Sequence, residues 1–438
     1  MRDTADPLTS TARASAARAR DRAHVWHTWS PIDADRTELM VVRGEGHRVW
    51  DVDGREYLDA GSLNSTCGYR HPEVVAALTA QLDRLHHFDL ATATHDRAGL
   101  LAERLAGHLP AGMAKTLFVN SGSEGVEAAM IMAACWSSYR GENRTRVVSL
   151  ARGYQGATMV SRSLSALPRN QNPLSPPLPV TMVDLPCATE DVRRPAALAP
   201  LLAAFDRAVN DHPDGPPLAV VVEPFLNVGG GVVLPEGFLR GVRELCDASG
   251  ALLVLDEVFT AYGRSGRMFA CVREDVAPDI LVSGKGLGGG YVPIGAVSAR
   301  ARVHDEFRND PVVGGLRYGH TTSGHALGVT AALACLDVLE KDRLVERADE
   351  LGGRMLRRLA ALSDLDGVLD VRGLGLILVV QTPSAEHAAA VLARGRRAGV
   401  LLRQQGDAVM VVPPLTVDDE AATEITDATL SLIRAELA

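Results

Sequence analysis

Lysine is scarce in this chain, and one of its lysines sits where chemistry could be done. Of 45 basic residues in 438, only Lys115, Lys285 and Lys341 are lysines. Arginine supplies positive charge as such, so a retained lysine is of interest for its amine, which can lose its proton and attack a carbonyl. Lys285 lies in Ser283-Gly-Lys-Gly-Leu-Gly-Gly-Gly290, the most glycine-rich stretch of the sequence. There the missing side chains let backbone or a cofactor come close. Lys285 is the first candidate for a covalent Schiff base; the competing reading is a surface glycine loop with an incidental lysine. Lys341, in the charged run Glu340-Lys-Asp-Arg343, reads as a solvated helix end. Lys115, ahead of an apolar run, reads as a charge where a strand begins.

Two further segments favour the reactive reading. Ala251-Leu-Leu-Val-Leu255 leads into Asp256-Glu257, two carboxylates at the end of a buried strand that need a cation or hydrogen-bond donors. Asn120-Ser-Gly-Ser-Glu-Gly125 follows an apolar strand and opens an apolar helix. Ser121 and Glu124 have the spacing of a capping box, and Gly122 lets a phosphate reach the N–H groups of the helix start. The plainer alternative is a well-capped helix. Together, a phosphate at Gly122 and Ser123, a protonated pyridine nitrogen at Asp256 and an aldehyde at Lys285 describe pyridoxal phosphate.

The elements that would position these groups follow from apolar patterning. Between about residues 115 and 300 short apolar runs alternate with helical stretches, which predicts a mostly parallel sheet covered by helices, with chemistry at the carboxyl ends of its strands. Strands are expected at 117–119, 147–150, 180–183, 219–222, 251–255 and 280–282, and helices at 124–139 and 237–249. Upstream, Asp53-Gly54 between two short runs predicts a hairpin, followed by a helix over 73–85. A helical pattern follows Gly324 to Leu339. The last hundred residues mix strands at 368–371, 376–380 and 409–412 with helices, as a smaller α+β lobe would. The proline-rich segment 168–186 reads as an irregular excursion.

Composition narrows the function classes. A net charge of −9 argues against a nucleic-acid or anionic-membrane partner, and no apolar run approaches the roughly 20 residues that span a bilayer. The six cysteines show no CxxC pair and no metal-ligand spacing, so no metal is expected. They suit a reducing compartment, with the cytoplasm as the expected address. Residues 1–24 are rich in Ala, Arg, Ser and Thr but interrupted by Asp3, Asp6 and Asp21. They read as an arm that is disordered or draped over a partner.

On these residues the chain resembles the class III (omega-type) aminotransferases of the aspartate-aminotransferase fold, from about residue 24 to the C-terminus. The resemblance is carried by Asn120-Ser-Gly-Ser-Glu124, Gly153-Tyr-Gln-Gly-Ala-Thr158, Glu223-Pro224, Asp256-Glu-Val-Phe-Thr-Ala-Tyr-Gly-Arg264, Pro278-Asp279 with Ser283-Gly-Lys285, and Thr321-Thr-Ser-Gly-His325, in that order. It implies a large domain over 66–325 with a mostly parallel seven-stranded sheet. A smaller α+β domain would be built from 25–65 and 326–438. It also implies that Lys285 is the Schiff-base lysine and proton shuttle, that Asp256 holds the ring nitrogen, and that Tyr154 and Val258 cover the two ring faces. Ser121, Gly122 and Ser123 would cradle the phosphate, and Glu223 would line the cofactor site. Thr321 would reach in from a second subunit of a homodimer with shared sites, or of a tetramer built on that dimer.

The chain also departs from the family pattern. An aromatic-His-Gly triplet reads Tyr154-Gln155-Gly156, Ser-Glu-Ala reads Ser123-Glu124-Gly125, and the Glu-Pro loop continues Phe225-Leu-Asn-Val-Gly229 where a glutamine and a glycine are usual. Members acting on ornithine or 4-aminobutyrate carry an arginine where this chain has Met410. Arg403 matches instead the mobile arginine of the amine:pyruvate type, a fork suited to a substrate carboxylate, with Trp29 and Leu63 as further substrate contacts. The expected reaction is amino transfer from an amino acid or amine to a keto acid or aldehyde by ping-pong kinetics. The alternative is another outcome of the same chemistry: an aminomutase, a racemase, or an eliminating or bond-forming enzyme.

Overall fold

The computed structural model describes residues 10–34, 38–165, 167 and 178–437. The apolar runs between residues 113 and 300 form one seven-stranded sheet. Its strands in chain order are β1 (Met113–Val119), β2 (Val147–Leu150), β3 (Val180–Val183), β4 (Ala219–Val222), β5 (Leu252–Asp256), β6 (Ile280–Ser283) and β7 (Gly295–Arg300). Across the sheet they lie in the order β1-β7-β6-β5-β4-β2-β3. Strands β2 to β6 pair in parallel, while β7 is antiparallel to both its neighbours. Strands β2, β4, β5 and β6 are buried along their whole length, which is why they read as unbroken apolar runs rather than alternating ones.

Strand β7 is the one the apolar pattern does not announce. Gly295-Ala-Val-Ser-Ala-Arg300 is built of small residues behind the glycine-rich loop, without the β-branched run that marks its neighbours. The small residue at its start is required: a Cβ at Gly295 would lie 3.0 Å from both the Ser283 carbonyl oxygen and a Val119 methyl. Helices Gly122–Tyr139 and Phe238–Ser249 lie against the sheet close to the expected positions.

The two ends of the chain meet in a separate sheet. Val41–Glu45, Arg48–Asp51 and Glu56–Asp59 form an antiparallel meander with the expected Asp53-Gly54 turn, and Val400–Leu401 adds in parallel beside Leu58 and Asp59. A second small sheet holds Asp370–Gly373, Leu378–Gln381, Ala408–Val411 and Arg403–Gln405 in that order. Buried Arg264, in the segment after β5, ties this region to the large sheet: its guanidinium donates to the carbonyls of Pro413 (2.6 Å) and Leu376 (3.2 Å).

The expected disorder of the N-terminal arm does not hold for residues 10–24. They form the helix Ser10–His24, with Ala14 buried and Arg18 paired to Asp53, as the strong helix propensity of alanine and arginine allows. Residues 1–9, and residues 168–177 of the proline-rich excursion, fall outside the described residues.

Candidate active site

The carboxyl ends of β1, β2, β4, β5 and β6 surround a cavity of about 370 Å³. At one end lies the first turn of helix Gly122–Tyr139. Ser121 caps it, its hydroxyl accepting from the Glu124 N–H at 3.2 Å. Glu124 reaches back to the N–H of Asn120 (2.8 Å) and to its side-chain amide (3.1 Å), so the capping box closes one residue before the N-cap. Ser123 accepts from the N–H of Ala157 at 3.1 Å. A Cβ at Gly122 would sit 2.7 Å from a methyl of Val258, so only glycine lets the helix start lie so close to that side chain. Gly125 has a similar cause: a Cβ there would lie 2.7 Å from a Val282 methyl.

The two carboxylates at the end of β5 have different fates. Glu257 is wholly buried and satisfied by the N–H groups of Ala270 (2.6 Å) and Cys271 (2.9 Å) and the hydroxyl of Thr260 (2.8 Å). It clasps the following loop. Asp256 lines the cavity, with one oxygen accepting from the N–H of Val258 at 2.9 Å. Burial pushes its carboxyl up to about 6, against the opposing pull of that N–H and of Lys285.

Lys285 opens a short helical turn with φ of 37°, a left-handed conformation that a non-glycine residue adopts only when its surroundings hold it there. Part of the hold is visible next door: the Thr66 hydroxyl donates to the Gly286 carbonyl at 3.1 Å. Lys285 is half-buried at the cavity wall, its amine 5.8 Å from the centre of the Phe259 ring. Burial lowers its proton affinity, while the charges of Asp256 and Glu223 partly restore it. An amine so placed is nearer to its nucleophilic neutral form than an exposed lysine.

The wall opposite the helix start comes from the loops after β2 and β4. Glu223 accepts from the N–H of Tyr154 at 2.8 Å and from the backbone N–H of Asn227. Burial, with the Asp256 carboxylate beside it, pushes Glu223 up to about 8. Gln155 and Asn227 also line the cavity, each 2% exposed.

The remaining expected residues lie around this core. Trp29, itself left-handed with φ of 57°, meets the Tyr154 ring edge-on at 6.3 Å. Leu63 packs on a small apolar cluster containing Phe225, Phe259 and Met410. Arg403 stands directly across from Met410 in an antiparallel pair, where facing residues project to the same side of the sheet, and its charge is felt at Lys285. Thr321 is exposed and does not line its own chain's cavity. Neighbouring Thr322 instead donates to the Asn120 side chain at 2.9 Å.

This geometry agrees with the comparisons to known proteins. The family "Aminotransferase class-III" matches residues 30–433. The adenosylmethionine-8-amino-7-oxononanoate aminotransferase of Geobacter sulfurreducens is 34% identical, over 93% of this chain and 95% of its own. The acetylornithine aminotransferase of Mycolicibacterium smegmatis is 37% identical, over 87% and 90%. The crystal structure of an amine transaminase from an uncultivated Pseudomonas species, in a form with pyridoxal phosphate bound, superposes with a TM-score of 0.86 at 32% identity, covering 94% of this chain and 99% of that one. The chain is a class III aminotransferase.

The family uses pyridoxal phosphate, and this aminotransferase acts on small molecules. The relatives are named for different substrates, so the family settles the transfer and not the molecule transferred. Among the described residues no group of His, Cys, Asp and Glu is disposed to hold a metal, and no helix is long and apolar enough to cross a membrane. The sequence passes over the cavity residues Asn64 and Val292-Pro-Ile294, and it shows Asn120, Asn227 and Phe259 within motifs without giving them a role. Phe259 and Asn227 lie three and four residues after Asp256 and Glu223, and that spacing was the available signal.

Proposed function

We propose that this aminotransferase holds pyridoxal 5'-phosphate in the cavity at the strand ends, joined to Lys285. The observation that carries the reading is convergence: a helix N-terminus, a buried carboxyl and a lysine amine of reduced proton affinity border one cavity of about 370 Å³. The residues fit the group. Gly122 lets the helix start close against Val258 at the cavity's edge, where a phosphate would meet free backbone N–H groups, and Asp256 turns its carboxyl to the cavity without a full set of partners. When bound, the cofactor supplies an electron sink for the substrate's alpha carbon. Asp256 would hold the proton on the ring nitrogen, Tyr154 and Val258 would cover the ring, and Glu223 would line its site. Lys285 would take up and give back the proton at the substrate's alpha carbon.

On this reading the transfer runs in two half-reactions. The product of the amino donor, an amino acid or amine, leaves before the keto acid or aldehyde acceptor enters. Arg403, on the face shared with Met410, receives a substrate carboxylate, with Trp29 and Leu63 at the mouth. The family resemblance would place Thr321 at the phosphate site of a second copy, in a homodimer or a tetramer built on it, and its exposure outside its own chain's cavity fits that reading. The small domain of 25–65 and 326–438 would then border the site of the large domain, 66–325. The six free cysteines suit a cytoplasmic address. The test is the absorbance of the holoenzyme on titration with a panel of amines and amino acids, with product analysis. Stoichiometric keto or aldehyde product with a bleached chromophore is expected, and elimination products or an unresponsive chromophore would contradict it.

A further inference from the structure

The side chains of Gln155 and Asn227 border a ligand cavity, yet three of their amide atoms are unpaired. Nε2 and Oε1 of Gln155 and Oδ1 of Asn227 are buried without any hydrogen-bond partner among the described residues. Buried polar groups are otherwise almost always satisfied, and each exception calls for a cause. Both residues adjoin Glu223, Gln155 through its side chain and Asn227 through its backbone. A Cβ placed on Gly153 would lie 2.9 Å from Gln155 Nε2 and 3.6 Å from Glu223 Oε1, so these two groups share one small space. Asn227 donates its backbone N–H to the same carboxyl.

The unpaired atoms discriminate between ligands. An ammonium group only donates and would leave Gln155 Nε2 orphaned. A carboxylate only accepts and would leave both amide oxygens orphaned, beside the Glu223 carboxyl. A carboxamide, with two N–H donors and a carbonyl acceptor, satisfies all three atoms; a hydroxyl, which donates once and accepts, pairs with Nε2 and one of the two oxygens. The adjoining surface is the apolar cluster of Phe225, Phe259 and Met410, with Lys285 beside Phe259 and Arg403 across from Met410 as its cations.

We propose that Gln155, Asn227 and Glu223 form a subsite for an uncharged hydroxyl or carboxamide group on the amine substrate. The proposal rests on the cavity being the cofactor and substrate site. It assigns substrate selection to this wall and carboxylate capture to Arg403. A substrate carrying both a carboxylate and a hydroxyl or amide would engage both.

The test uses the holoenzyme and a matched set of primary amines that differ only at the far end: 1-aminobutane, 3-aminopropan-1-ol, 3-aminopropanoate and 1,3-diaminopropane, with one longer homologue of each. The reading is the concentration that half-saturates the absorbance change of the bound cofactor, in the wild type and in Gln155→Met and Asn227→Leu. The hydroxyl-ended amine should bind about tenfold or more tighter than the methyl- and ammonium-ended ones. Each variant should bring the ratio of hydroxyl-ended to methyl-ended affinity to about one.

The cofactor's own ring hydroxyl is a second possible source of the same chemistry. It is separated by titrating the chromophore with pH in the absence of any amine. A shift of that titration in the variants, with the amine ranking unchanged, would mean that the amides serve the cofactor, and would overturn the proposal. No hydroxyl preference at either chain length in the wild type would mean that the amides hold only solvent, and would overturn it as well. Failure of the wild type to take up the cofactor at all would instead refute the site assignment beneath it.

Discussion

At the helix end of the cavity the polar groups are tied to one another before any ligand arrives. Ser121, Glu124 and Asn120 close a ring of hydrogen bonds, Ser123 takes the Ala157 N–H, and Gly122 is pressed against Val258. At the opposite wall Glu223 has its backbone donors, but the amides of Gln155 and Asn227 have unpaired atoms. A pre-satisfied, tightly packed end suits a ligand that is always the same, because nothing has to reorganise when it binds. A wall with polar groups left open suits a ligand that differs between family members, because those groups discriminate most strongly when only one chemistry can pair them. The division also matches where the chain departs from its family: Gln155 and Asn227 lie on the open wall. Gly125, the departure at the tied end, is a packing adjustment to Val282.

The largest effect should come from the group that serves both ends. Asp256→Ala removes the partner of the ring nitrogen and should weaken cofactor binding by about 3–5 kcal/mol, the usual consequence of breaking a buried ion pair. Cofactor titration followed by absorbance measures it, and near-normal affinity and turnover would mean that Asp256 is structural. Next, Arg403→Ala should raise KM for carboxylate-bearing substrates by one to two decades, from loss of a charge-assisted contact of about 1.5–3 kcal/mol. Uncharged amines should be spared; equal losses on both classes would make Arg403 a support for its strand.

At the tied end, Gly122→Ala forces a Cβ against Val258 and should cost about 1–3 kcal/mol. It should appear as weaker cofactor binding with unchanged selectivity among amines. A variant that binds normally would show this end to be looser than its packing implies.

The open wall gives an effect whose sign can be checked. Glu223 is raised from 4.5 to about 8 in the folded protein, so the folded state keeps a proton that the unfolded chain releases earlier. Stability of the cofactor-free protein should therefore fall as pH rises from about 4.5 to 8, by at most about 1.4 kcal/mol per unit. Asp256 adds a like slope only between 3.8 and about 6. In Glu223→Gln the fall between pH 6 and 8 should vanish, as read from chemical denaturation at each pH. If it persisted, the titrating group would lie elsewhere.

Much of this was legible in the sequence because it is carried by local pattern. Strands β2, β3 and β4 fall where the apolar runs place them, and Lys285, Asp256 and the Asn120–Glu124 turn are marked by rarity, burial and capping. Strand β7 was not legible, because its small residues are set by neighbours it meets only in the fold. The fates of Asp256 and Glu257 were not separable either, since they depend on which side chain the Ala270–Cys271 backbone receives. That Arg403 faces Met410 follows from the two-residue turn at Gly406-Asp407, a register that motif spacing alone does not contain. Gln155 and Asn227 were visible as departures, but only their unpaired atoms turn a departure into a site.

The central claim is that Lys285 is the amine joined to the cofactor. Borohydride reduction of the holoenzyme, followed by proteolysis and peptide mass spectrometry, tests it most directly, since only two other lysines compete. The account predicts the pyridoxyl group on the peptide containing Lys285 and nowhere else. It also predicts that Lys285→Ala binds the cofactor without being labelled and loses at least 10²–10⁴ of its rate. Label on Lys115 or Lys341, or labelling that survives Lys285→Ala, would contradict it.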